Sequence, residues 1–167
     1  MNKMKLKTKD VALMGVMGGI IALISLISIP TPLGIPLTLQ IFAISICGFL
    51  FGAKSALAVC VWLILGALGL PVFSGGRGGF GEFFSLTGGF LWSFPIFALF
   101  FGIPVLGKKQ LGIALGLAIN YAAGIGQFAT IASKVPPILF ALCLCKDILL
   151  VFLAQRLSKR IKRADVC

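Results

Sequence analysis

Residues 37–70 read LTLQIFAISICGFLFGAKSALAVCVWLILGALGL, and the only charged side chain among them is Lys54. A membrane-crossing helix needs roughly 20 apolar residues, with about 17–25 as the usual range. The stretch is too long for one such helix, and Lys54 divides it, so two spans are expected, at 37–52 and 55–70. Both are short for a full crossing. They are expected to tilt, to extend into their loops or to thin the bilayer.

Working outward, the same punctuation by proline, glycine and charge gives four further spans, at 11–29, 89–106, 110–132 and 136–155. The composition agrees, with 59% hydrophobic and 11% charged residues. A soluble domain averages about 45–50% apolar and about 25% charged. The fold class expected is therefore an all-α integral membrane protein with six transmembrane helices. With 167 residues there is no room for a second, soluble domain, and residues 1–167 are read as a single membrane domain.

The net charge of +11 raises the question of nucleic acid, and its placement argues against that partner. Lys3, Lys5, Lys7 and Lys9 precede the first apolar run, and Arg156, Lys159, Arg160, Lys162 and Arg163 follow the last. A basic fringe on apolar segments is a signal for topology and for the anionic lipid bilayer. With both termini cytoplasmic, twelve basic residues face inward and only Arg77 and Lys134 face outward, Lys146 lying within the sixth span. That asymmetry also supports an even number of spans. The basic start imitates a signal peptide, but the first apolar run is longer than such a segment and no small-residue cleavage site follows, so a retained helix is expected.

Five cysteines without a histidine or a CxxC pair argue against a metal site and against a disulfide framework. No histidine, nucleophile elbow or paired acidic motif is present, so neither catalysis nor a cofactor is expected. Ionisable groups within lipid cost about 2.5–3.5 kcal/mol even on a lenient scale, which singles out Lys146 and Asp147 in the sixth span. Neighbouring helical residues do not face each other, so the two need not satisfy one another. Asp147 either faces a cavity and a substrate or pairs with another helix. Thr38, Gln40, Thr87, Asn120, Tyr121 and Gln127 fall in the outer half of the same bundle. Each alone reads as interhelical glue; together they suggest a pocket.

Between the third and fourth spans lies the outer loop 71–88, and within it GGRGGFG, residues 75–81. Its formal GxGxxG is not a dinucleotide fingerprint, because that motif needs a strand before it and a helix after it in a soluble βαβ unit. Glycines here let backbone approach a ligand closely, Arg77 supplies a bidentate donor for a carboxylate, and Phe73, Phe80, Phe83 and Phe84 supply apolar surface. The loop reads as a cap over a small amphipathic anion or as an external linker. In the first span, Ala12, Gly15, Gly19 and Ala22 share one helical face without bulk, suited to packing within the bundle or to docking another membrane protein.

The segments IPLTLQIFAISICGFLFG and LILGALGLPVFSGGRGGFGEFFSLTGGFL closely resemble the BioY family, biotin-binding S-components of energy-coupling factor transporters. The resemblance is dense from Ile35 to Leu91 and looser through the last two spans. It implies a six-helix S-component fold that binds biotin near its outer side. It also implies partnership with a transmembrane T-component and two cytoplasmic ATPase subunits, in a bacterial cell membrane. By position it implies substrate contacts from Thr38 and Gln40 in the TLQ motif, from the loop beginning at Phe73, from Tyr121 in YxxG and from Asp147 in D-x-x-K. Leu150 stands where that motif has its lysine, so the carboxylate of the ligand tail is expected to meet Arg77 or Lys146. Asn120 completes the expected contacts, and Ala12, Gly15, Gly19 and Ala22 the docking face. The alternatives are an S-component for lipoate or a biotin precursor, and a scaffolding subunit that binds protein.

Overall fold

The structure is a computed structural model that describes residues 8–31, 36–132 and 136–164. Lys3, Lys5, Lys7 and Lys134, which entered the charge argument, lie outside the described residues, as does most of the proline-rich loop after the first span. The chain is mostly helical: α1 (Thr8–Ser25), α2 (Gln40–Phe51), α3 (Ser55–Ala67), α4 (Gly88–Leu99), α5 (Lys109–Ile131) and α6 (Pro137–Ala164). Four stretches are long and apolar enough to cross a membrane: Thr8–Ser25, Gln40–Ala67, Lys109–Ile131 and Pro137–Arg163. A fifth, α4, is apolar but shorter. The separate second and third spans expected from sequence thus occupy one 28-residue apolar stretch.

That stretch is broken by a 3-10 turn at Gly52–Lys54. Gly52 has φ +61°, a conformation that side chains other than glycine's rarely adopt. The chain reverses there, because Gln40 at the start of α2 and Phe73 just beyond α3 line the same cavity. Ser55 Oγ secures the turn by donating to the carbonyls of Gly52 (2.7 Å) and of Ala98 on α4 (3.2 Å).

Element ends differ from the apolar runs for local reasons. The first helix stops at Ser25 rather than continuing to residue 29, because Ser28–Ile29 pairs antiparallel with Leu37–Thr38 as a two-stranded ribbon (β1 and β2). In the fourth span, residues 100–106 leave the helix as turns ahead of Lys109, with Pro104 disfavouring helix in the residue before it. The last helix runs past residue 155 to Ala164. Lysine and arginine end an apolar run but are good helix formers.

The core is built from Ile21, Ile44, Val59, Trp62 and Phe97, all fully buried. Around it α1 packs on α2 and α3, α3 on α4, α4 on α5, and α2 on α6. The described basic residues other than Arg77 and Lys146 gather at the end of the bundle where Lys54 pairs with Asp10 at 2.8 Å. The glycine-rich loop closes the opposite end.

Candidate functional site

At the loop end a cavity of about 60 Å³ is lined by Thr38, Gln40 and Ile41 at the start of α2, by Phe73, Ser74, Arg77 and Glu82 of the loop, by Phe90 and Phe94 of α4, and by Cys143 of α6. The floor is aromatic and rigid. Trp62 donates from Nε1 to the Val72 carbonyl at 2.9 Å, and its ring meets that of Phe73 edge-on at 5.5 Å. Phe73 lies so close to α3 that a methyl group added at Gly66 would overlap its ring. Phe83 packs against Phe73 on one side and Trp92 on the other.

The loop is tied down by side chains from two helices. Gln127 Nε2 donates to the carbonyls of Phe83 and Ser85, each at 2.9 Å, and Trp92 Nε1 donates to the Phe83 carbonyl at 3.2 Å. Within the loop Arg77 faces Glu82 at 3.4 Å and donates from Nε to the Ser74 carbonyl at 3.2 Å. The Ser74 hydroxyl is buried in the cavity wall without a hydrogen-bond partner among the described residues. A buried polar atom left unpaired costs roughly 1–3 kcal/mol, and a water or a ligand group in the cavity would relieve it.

Next to the cavity the two ionisable residues in the middle of α6, Lys146 and Asp147, are joined. Lys146 Nζ lies 2.7 Å from Asp147 Oδ1 and donates to the Thr38 carbonyl at 2.7 Å, while Tyr121 Oη donates to Asp147 Oδ2 at 2.6 Å. Adjacency on a helix did not prevent the pair: the long lysine side chain bends back over the carboxylate. Asp147 is buried and lies one turn beyond Cys143, which lines the cavity.

Of the eight substrate contacts expected from sequence, Thr38, Gln40, Phe73 and Arg77 line the cavity. Tyr121, Lys146 and Asp147 form the network beside it, linked to it through Thr38 and through Phe90, whose ring meets that of Tyr121 at 5.5 Å. Asn120 points elsewhere. It is fully buried and donates to Ser93 Oγ at 2.8 Å and to the Phe90 carbonyl at 3.4 Å, tying α5 to α4. Sequence reasoning had not singled out Ser74 and Glu82 as contacts; the only signal was their place in the loop that follows Phe73. On α1, Ala12 and Gly15 are exposed, Gly19 is half-buried and Ala22 is packed into the bundle, so three of the four small residues lie on an open face. Among the described residues no group of three histidine, cysteine or acidic side chains could hold a metal.

The family model described as the BioY family matches residues 1–165. A protein of Rhodobacter capsulatus named "Biotin transporter BioY" is 36% identical over 131 residues, 72% of this chain and 69% of that protein. One of Rhizobium etli with the same name is 34% identical over 145 residues, covering 76% of this chain and 77% of the relative. A "Probable biotin transporter BioY" of Pyrococcus horikoshii is 34% identical over 120 residues, 71% of this chain and 74% of its own. Among solved structures, the S-component for biotin from an ECF-type ABC transporter superposes with a TM-score of 0.70 over 93% of this chain and 95% of that one, at 22% identity, which shows a common fold. Helices apolar enough to cross a membrane, a loop-capped cavity at one end and a family match from the first residue to residue 165 together place this chain in the BioY family.

Proposed function

We propose that this chain is a biotin-binding S-component, a transport subunit rather than an enzyme. The observation that carries the reading is the family match over residues 1–165, and the loop-end cavity gives the ligand a place. The cavity of about 60 Å³ is far below the about 300–1,000 Å³ of ordinary ligand pockets. Biotin therefore enters by displacing the loop that Gln127 and Trp92 hold down, and seats towards Asp147.

In that position the ureido N–H groups donate to Asp147 and Gln40, the fused rings rest on Phe73, and the Ser74 hydroxyl gains its missing partner. The tail carboxylate meets Lys146 or Arg77, each of which exchanges an internal partner for the ligand. Lys146 precedes Leu150 by four residues, so it presents a charge on the same helix face one turn earlier. Tyr121 and Thr38 hold Asp147 and Lys146 in place, and Asn120 serves the α4–α5 contact.

The chain makes six crossings as one membrane domain of residues 1–167, with the reversal at Gly52 separating the second from the third and both termini in the cytoplasm. The excess of basic residues supports that orientation, with the loop end at the outer side of the cell membrane. Ala12, Gly15 and Gly19 form the face that docks a transmembrane T-component driven by two ATPase subunits, with Ala22 marking where that face turns into the bundle. Equilibrium binding of biotin to the purified protein, in competition with lipoate and unfused biotin precursors, tests the assignment. Near one-to-one binding that biotin wins is expected. Preference for another vitamin would transfer the site to that ligand, and no small-molecule binding by folded protein would overturn it.

A further inference from the structure

The basic end of the bundle holds a second, larger opening that the vitamin site does not use. Helices α5 and α6 meet near the loop end, where Tyr121 bonds Asp147 and the rings of Phe128 and Phe140 meet edge-on at 5.4 Å. Towards the basic end they part. The space between the first turns of α5 and the last turns of α6, floored by the end of α2, is a groove of about 670 Å³. Ile113 and Leu117 on one side and Ile148 and Phe152 on the other give it apolar walls, and Gln110, Gln155 and Ser158 line it towards the basic end together with Lys109, Lys159 and Lys162. Ile148 and Phe152 are 55% and 51% exposed, so the groove opens sideways along the apolar girth of the bundle.

The charge at the mouth is uncompensated within the described residues. Asp10, Glu82 and Asp147 pair with Lys54, Arg77 and Lys146, and none of them makes an ion pair with Lys109, Lys159 or Lys162. Lys162 is anchored by donating to the Phe49 carbonyl at 2.9 Å, which fixes one ammonium at the rim. Three cations above an apolar slot that opens towards lipid match an amphiphile with an anionic head and a hydrocarbon tail.

We propose that this groove binds one anionic phospholipid, its phosphate held by Lys109, Lys159 and Lys162 and an acyl chain laid between α5 and α6. Charge complementarity selects the lipid over a protein helix, which would have to bring its own acids. The site rests on the membrane reading of the chain and is independent of the vitamin site, so biotin binding by the same proteins reports separately on that assignment.

Native mass spectrometry of the full-length protein in mild detergent, titrated with dioleoyl phosphatidylglycerol or phosphatidylcholine, tests it. The parent is expected to retain a single phosphatidylglycerol where phosphatidylcholine is stripped away. The Lys109→Gln/Lys159→Gln/Lys162→Gln protein should lose at least tenfold in apparent affinity. A Lys9→Gln/Arg160→Gln/Arg163→Gln protein, with the same charge removed outside the groove lining, should keep its lipid. Ala114→Phe, which fills the slot and leaves the charges alone, should release it. Circular dichroism and elution profile establish that each variant folds, and the single Lys159→Gln replaces the triple if the latter does not. Equal retention of both lipids, equal loss from both triple variants, or a lipid indifferent to Ala114→Phe would each overturn the proposal.

Discussion

The two ends of this bundle handle charge in opposite ways. At the loop end each described charge has a partner of its own, Arg77 with Glu82 and Lys146 with Asp147, and the space between them is small and roofed. At the basic end, among the described residues, Lys54 alone is ion-paired, with Asp10, and Lys109, Lys159 and Lys162 line an open groove. Buried ion pairs are costly to desolvate and weak as sources of stability. The buried Lys146–Asp147 pair and the partly exposed Arg77–Glu82 pair, both beside the cavity, fit the proposed site as charges that trade an internal partner for a ligand group. The open cations at the other end suit a face that meets lipid headgroups.

The contrast breaks most readily at Asp147. Replacing it with Asn leaves Lys146 without its counter-charge and turns one of the two carboxylate acceptors into a donor, and breaking a buried charged pair costs about 2–5 kcal/mol. Biotin affinity should fall at least about thirtyfold, measured by equilibrium binding on protein whose helicity is unchanged. An Asp147→Asn protein that binds like the parent would make this pair purely structural.

Gly66→Val comes next. The added side chain would force Phe73 out of its seat, and overpacking of this kind costs about 1–3 kcal/mol. A lower thermal midpoint together with weakened biotin binding is expected; lowered stability with full affinity would detach Phe73 from the site.

Arg77 and Glu82 sharpen the comparison, because their pair is partly exposed and worth only about 0.2–1 kcal/mol. Arg77→Ala should leave stability nearly unchanged and weaken biotin several-fold. Glu82→Gln should tighten it, since the guanidinium no longer has to leave a carboxylate. The opposite sign for Glu82→Gln would show that the acid, not the arginine, meets the ligand.

The smallest effect is spectroscopic. The chain has two tryptophans, and both are bonded to the loop through the carbonyls of Val72 and Phe83. Biotin should therefore change intrinsic fluorescence, and a spectrum unmoved at saturating ligand would mean that the loop stays where it is.

Much of the fold was legible because charge punctuates apolar sequence. Lys54 and Lys108–Lys109 mark the turns that the structure places after α2 and before α5. Helix ends were less legible, since an apolar run is a property of solvent and a helix a property of backbone. Residues 156–164 are helical although charged, and residues 100–106 are apolar although not helical. The candidate site divides in the same way. Thr38, Gln40, Phe73 and Arg77 could be seen at the ends of spans or in the loop, where position along the chain already gives depth. Asn120 and Tyr121 share a depth, but adjacent helical residues point about 100° apart. Only the placing of α5 against α4 and α6 decides that the first bonds to Ser93 and the second to Asp147. The Ser74 hydroxyl could not have been chosen from sequence, because its burial depends on how the loop folds back over α3.

The brevity of α4 bears on the membrane itself. Its 12 residues rise about 18 Å at about 1.5 Å each, against a hydrocarbon layer of about 30 Å. Yet Trp92 and Ile96 on its outer surface are 51% and 43% exposed, so lipid tails reach it. The missing height is made up by residues that are not in an α-helix: Phe80 and Phe84 above, 59% and 63% exposed, and Ile103 and Leu106 below, 45% and 87% exposed. Backbone at that depth has to satisfy its own polar groups, as the 3-10 bonds from Glu82 to Gly79 and from Ser85 to Glu82 do. Two of the loop's four phenylalanines thus belong to the hydrophobic thickness of the protein. If the proposed site opens by lifting the loop, that thickness would shorten on one side, opening would work against the bilayer, and acyl-chain length would become a variable in how readily the site opens.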